Sequence, residues 1–160
     1  MKRILSIFAS VATLCATAQT SSGEDEDFFE LERWCAGAGA ALMLPQGGSD
    51  AHRRAGGEAR FGYYLDEFTL LEASISRLEN VSGVSCDVLW HWWGYEKFDP
   101  FFTFGANGWI EGEVGPSAGW GCFWHFSDKW SFRFDADATL GIDGETEMVY
   151  KLGAAVQYAF

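Results

Sequence analysis

Basic residues are scarce in this chain: 11 Lys and Arg stand against 23 Asp and Glu, a formal net charge of −12 over 160 residues. So acidic a surface repels phosphate, which argues against nucleic acid as a partner. Cysteine is sparse too, at four. Cys15 lies in a leader segment, leaving Cys35, Cys86 and Cys122, an odd number set within strand-like runs. That excludes a disulfide framework, and their spacing matches no metal motif. No metal and no cofactor are expected. From Arg33 onward there is also no linker, no low-complexity tract and no second domain, and the length suits a single domain.

Long apolar runs are nearly absent as well. The one that occurs, Ile4 to Cys15, follows the basic pair Lys2 and Arg3 and precedes the small residues Ala16-Thr17-Ala18. This is the pattern of a cleavable secretion signal, residues 1–18, cut before Gln19. The run is too short to cross a bilayer as a helix. A lipoprotein reading would acylate Cys15, but bulky Leu14 stands before it where a small residue is wanted. An N-terminal membrane anchor is the other alternative. Loss of Lys2 and Arg3 with the signal leaves nine basic residues against 23 acidic ones, a net charge near −14. Residues 19–32 form an acidic N-terminal segment, with Glu24 to Asp27 as a solvated tail or short linker.

What the sequence has in abundance is alternation. Eight segments, at about 33–44, 55–65, 68–78, 82–92, 100–110, 116–126, 130–142 and 147–160, alternate apolar with small or polar residues. Period two is the signature of a strand with one greasy face. The gaps between segments, such as "ENVS", "SDK" and "DGET", carry turn-forming residues. The segments are long for soluble strands and match the roughly 9–11 residues of a tilted strand crossing a bilayer. In 130–142 one parity is Trp130, Phe132, Phe134, Ala136, Ala138, Leu140 and Ile142, and the other is Ser131, Arg133, Asp135, Asp137, Thr139 and Gly141. The first segment, "WCAGAGAALML", is too rich in small residues to fix its parity.

A soluble barrel turns its apolar face inward, and a membrane barrel turns it out to lipid. The polar parity here is mostly Gly, Ser, Thr and paired charge, small enough for a narrow lumen. The apolar parity is crowded with Trp and Phe, too bulky to share such an interior. The expected fold is therefore all-β: an eight-stranded antiparallel up-and-down transmembrane β-barrel over residues 33–160, apolar outside and polar inside. With the N-terminus in the periplasm, the short gaps "DE", "GYEKFD" and "SDK" share the periplasmic side. Around that side gather Trp34, Tyr63, Tyr64, Phe68, Trp92, Trp93, Phe98, Phe101, Phe102, Trp124, Phe126, Trp130, Tyr158 and Phe160. They are expected to form an aromatic girdle at headgroup depth. A closed barrel has no edge strand, so a monomer is expected.

The stretch "GWGCFWHFSDKWSFRFDADATLGI" and the closing "KLGAAVQYAF" carry a resemblance. Residues 33–160 resemble the small bacterial outer-membrane barrels of the OmpA-type transmembrane domain and its single-domain, OmpX-like relatives in the porin family. Lys151, Gly153, Val156, Tyr158 and the terminal Phe160 match that family's assembly signal. The resemblance implies export to the cell outer membrane, contact with membrane lipid and lipopolysaccharide, and recognition of the last strand by the barrel assembly machinery. It does not imply cell-wall tethering, since no peptidoglycan-binding domain follows, and the short outer loops leave little surface for adhesion.

The lumen-facing set is expected to hold Glu58, Glu72, Asp87, Asp135 and Asp137 with Arg60, Arg133 and Lys151, joined by His91 and His125. Two readings stay open: a salt-bridge network that fills the lumen, or an aqueous, cation-leaning path that makes a small porin. His125-Phe126-Ser127 is similar to the His-x-Ser pair of outer-membrane lipid acyl hydrolases and acyltransferases, and that enzymatic alternative also stays open, although Ser127 falls in a turn on the wrong membrane side. Arg53 and Arg54, beside His52, form the only basic cluster beyond the signal and are the candidate contact for lipopolysaccharide phosphates.

Overall fold

The computed structural model describes residues 33–45, 53–93, 97–109, 114–141 and 148–160. The signal segment 1–18, the acidic segment 19–32 and His52 lie outside the described residues. The strands are β1 (Trp34–Pro45), β2 (Arg54–Tyr64), β3 (Thr69–Leu78), β4 (Val81–His91), β5 (Phe98–Trp109), β6 (Val114–His125), β7 (Trp130–Leu140) and β8 (Met148–Ala159). Each pairs antiparallel with its neighbours in sequence, and β8 pairs with β1 to close the barrel. The ends of β2, β4 and β6 and the starts of β3, β5 and β7 share one end of the barrel with Arg33 and Phe160, hereafter the terminal end. The opposite end is the loop end.

The strands fall within two residues of the segments expected from alternation. The turn "ENVS" shrinks to Glu79 and Asn80, because Val81 already pairs with Leu78. Glu79 takes the left-handed conformation there, with φ 52°. At the other end of the barrel, β5 begins at Phe98 rather than 100, so Asp99 and Pro100 belong to the sheet, paired with Phe123 and Cys122.

The register sets the bore. A circuit through paired residues, Cys35–Gly62–Glu72–Asp87–Gly105–Ser117–Thr139–Val149, returns to β1 at Pro45, ten residues beyond its start. With eight strands about 4.8 Å apart, that stagger implies a tilt of about 40° and a backbone radius of about 8 Å. Glu72, Asp87, Ser117, Thr139 and Val149 on this circuit face the same narrow interior as Cys35.

The wall is inverted relative to a soluble barrel. Ile75 and Trp120 are 65% exposed, while Arg133 is 2% and Glu72 3% exposed. Along β7 exposed and buried residues alternate throughout. Cysteines placed singly at Phe132, Phe134 and Ala138 are expected to take a lipid-soluble thiol label, and those at Ser131 and Thr139 to resist it. Labelling in vesicles that ignored this parity would overturn the facing of the strands.

Exposed aromatics do gather at the terminal end, but fewer of them than the sequence suggests. Tyr64 and Phe101 are buried inside the barrel, at 6% and 2% exposure. Phe123 and Trp109 are inside too, so bulky rings do enter this lumen. Glycines make the room: Gly121 lies opposite Phe101 and Gly83 opposite Trp109. A Cβ on Gly83 would sit 2.5 Å from the Trp109 ring, a separation real side chains do not tolerate.

Candidate functional site

The interior is layered. At the loop end an apolar cluster of Ala41, Met43, Leu78, Val81, Trp109 and Val149 fills the bore. At the terminal end a second one contains Cys35, Tyr64, Leu70, Leu89, Phe101, Phe123 and Ala159. Between them lies a belt of charge, and this belt is the candidate site.

Strand geometry assembles it. On β2, β7 and β8 the lumen parity carries charge at successive inward positions: Glu58 and Arg60, then Arg133, Asp135 and Asp137, then Lys151. Glu72 joins from β3, opposite Gly62 and Asp87. Arg60 donates to Glu58 Oε2 at 3.2 Å, to Glu72 Oε1 at 3.4 Å and to Asp135 Oδ2 at 3.1 Å. Arg133 donates through Nη1 to Glu72 Oε2 at 2.6 Å and through Nε to Asp135 Oδ1 at 3.0 Å. Two guanidinium groups thus share two carboxylates in an alternating ring. Lys151 extends it, with Nζ 3.1 Å from Glu58 Oε1 and 3.7 Å from Asp137 Oδ2. Ion pairs at this depth persist because the donors and acceptors are matched by geometry as well as sign.

Asp87 stands apart. It faces the lumen but accepts from Ser85 at 2.6 Å and from Ser117 at 3.1 Å, with no ion pair among the described residues. The belt and its edge therefore hold five carboxylates against three cations.

Gly153 gives the belt its space. A Cβ there would lie 2.8 Å from Arg60 Nη2 and 2.8 Å from Asp135 Oδ2. The five residues that match the assembly signal divide between faces: Lys151 and Gly153 point inward, while Val156, Tyr158 and Phe160 lie on the outer wall. Phe160 is paired in the sheet, its N–H donating to Trp34 O at 2.8 Å and its carbonyl accepting from Trp34 N–H at 3.2 Å.

The belt is sealed on its terminal side by a feature the sequence reading missed. The Arg133 guanidinium lies 4.8 Å from the Phe101 ring centroid and 5.4 Å from that of Phe123, a cation–π arrangement. Phe123 in turn stacks against His91 at 5.5 Å and His125 at 5.7 Å. Beneath them is Asp99, fully buried, with Oδ2 2.5 Å from His91 Nδ1 and 3.9 Å from His125 Nε2. Asp99 looked like a turn residue because it follows "GYEKF"; its place opposite an inward Phe123 was the missing signal.

The His-x-Ser pair is not an assembled nucleophile and base. Ser127 Oγ accepts from Trp130 N–H at 3.1 Å within its own turn. His125 instead turns its ring into the lumen beside Phe123 and Asp99. Of the basic pair at the loop end, Arg53 is exposed, whereas Arg54 opens β2 on the lumen parity, opposite Met43.

No family model matches the chain, and no curated protein matches it. Solved structures do resemble it. Neisserial surface protein A superposes with a TM-score of 0.67 at 10% identity, over 79% of this chain and 97% of that one. Ail, the attachment invasion locus protein of Yersinia pestis, gives 0.61 at 10% identity, over 81% of this chain and 100% of that one. The outer membrane protein OprG of Pseudomonas aeruginosa gives 0.59 at 10% identity, over 81% and 97%. What these likenesses carry is the fold, a closed eight-stranded antiparallel barrel shared with bacterial proteins of quite different sequence.

Proposed function

We propose that this chain is an integral outer-membrane barrel, exported by its N-terminal signal, whose role is structural: a closed, non-enzymatic, monomeric element of envelope integrity. The observation that carries the reading is the filled lumen, with an ion-paired belt between two apolar plugs. An eight-stranded barrel of this stagger has room for side chains and little else. The outer location is supported by the aromatic, apolar outer wall and by the fold it shares with OprG and the others. The last strand, by its resemblance, is the handle for the barrel assembly machinery.

A small porin is the second reading, favoured by the surplus of carboxylates over cations in the lumen and by Asp87, held only by serines. Conductance separates the two. The refolded mature chain, verified by its heat-shifted mobility on a denaturing gel, is expected to be silent in a planar lipid bilayer. Discrete steps that change on Asp135→Asn with Asp137→Asn would overturn the closed-lumen reading in favour of an acidic pore.

A further inference from the structure

The outer wall of this acidic protein carries almost no charge, and what it carries is positive. Among the described strand residues, outward positions are apolar or uncharged except Arg77, near the loop end of β3. Arg53, exposed immediately before β2, continues the outward parity of Ala55, Gly57 and Ala59 on the adjacent strand. Arg77 pairs with Gly57. Arg53 therefore stands four residues further along the neighbouring strand, about 13 Å away at some 3.3 Å per residue. The Arg77 guanidinium leans toward β4, away from Arg53, so the two cations stand apart and match a ligand that carries two phosphate groups.

Arg77 Nη1 donates to Ser82 Oγ at 2.5 Å, on the next strand. A guanidinium has five N–H donors, so most remain for another acceptor. Neither arginine enters an ion pair among the described residues. Below them the wall is low in relief: Gly57 and Ala59 on β2 lie beside Ala40 and Ala38 on β1, and with Ala55 they leave a shallow strip bounded by Ile75 on β3. Arginine at the end of an apolar wall reaches toward the polar boundary and pairs well with phosphate.

We propose that Arg53 and Arg77 form a lipid-phosphate site on the outer wall at the loop end, with acyl chains lying along the Ala55–Ala59 strip. Resting on the outer-membrane reading, which puts the loop end in the outer leaflet, the lipid is lipopolysaccharide, bound through its lipid A phosphates. Arg54 is not part of the site. Successive residues of a strand point to opposite faces, so the adjacent arginines cannot act together on one lipid, and the register supplies Arg77 as the partner instead.

The test titrates the refolded mature chain, in neutral detergent, with bisphosphorylated lipid A, its dephosphorylated form, phosphatidylglycerol and inorganic phosphate, following the thermal unfolding midpoint. Arg53→Gln with Arg77→Gln is expected to weaken apparent lipid A affinity by about tenfold or more, as loss of charge-assisted bonds predicts. Arg54→Gln is expected to leave it unchanged, and all variants should keep the heat-shifted mobility of the folded barrel. Wild-type affinity in the double variant, an equal loss in Arg54→Gln, or an equal response to phosphatidylglycerol or inorganic phosphate would overturn the site. Membrane fractionation separates the two readings. Failed binding by a chain recovered from the outer membrane overturns this site alone, whereas recovery from the inner membrane overturns the outer-membrane reading and lipid A with it.

Discussion

Replacing Arg133 with Ala is expected to cost about 3–5 kcal/mol of folding stability, the usual penalty for removing one partner from a buried ion pair. Arg133 is 2% exposed and serves two carboxylates, Glu72 at 2.6 Å and Asp135 at 3.0 Å. Its loss leaves Arg60 alone to serve both, along with Glu58. The same change removes the cation stacked over Phe101 and Phe123, so the belt and the plug beneath it loosen together. The measurement is the urea midpoint of barrels refolded into lipid vesicles, read by the gel-mobility shift. Combining Arg133→Met with Glu72→Gln removes one charge of each sign and is expected to restore a large part of the loss, because no carboxylate is then stranded. Arg77→Ala, on the exposed wall, should move the midpoint little. If Arg133→Ala unfolded at the wild-type midpoint, the belt would contribute nothing to stability.

Gly153→Leu is the second large effect expected. The new side chain would begin 2.8 Å from the Arg60 guanidinium and 2.9 Å from Asp135 Oδ1, in the middle of the ion-pair ring. Overpacking a filled interior costs about 1–3 kcal/mol, and parting Arg60 from Asp135 adds the cost of a broken buried pair. Gly153 also matches the assembly signal of the barrels this chain resembles, and the two roles are separable. In refolding from urea, with no cellular machinery present, Gly153→Leu is expected to lower the midpoint by itself. A normal midpoint with poor assembly only in cells would show that this glycine is kept for recognition and not for space.

Parity was the legible part of this protein. In β7, where Arg, Asp and Thr alternate with Phe, Ala and Leu, the period-two pattern is enough to say which residues share a face. All five carboxylates of the belt and its edge and all three cations can be picked out in that way. What parity does not carry is the identity of neighbours across strands. Whether Phe101 belongs to the girdle or the lumen depends on its having Gly121 opposite, and that is known only once β5 and β6 are in register. Asp99 is the same problem in a different form, since Gly, Glu, Lys and Asp before a Pro are ordinary turn chemistry. Pairing with Phe123 draws it into the sheet instead. Arg53 and Arg54 are adjacent in sequence and look like one cluster, yet a strand divides neighbours between its faces.

The seam between β1 and β8 has a consequence for the order of events in folding. Every other pairing joins consecutive strands and needs only a short stretch of chain, but the seam joins Cys35 to Ala159. Loop-closure entropy grows slowly, by about 0.6 kcal/mol per doubling of length, so the seam is inexpensive in equilibrium terms; its demand is on timing. Hairpins of consecutive strands can form early, while β1 keeps an open hydrogen-bonding edge until β8 is in place. β1 meets that late partner with Gly39 lying flush against it, where even a Cβ would come within 2.6 Å of the Ala155 backbone. The seam is thus the pairing with the longest separation in sequence, and it closes along a strand whose small residues offer β8 little obstruction.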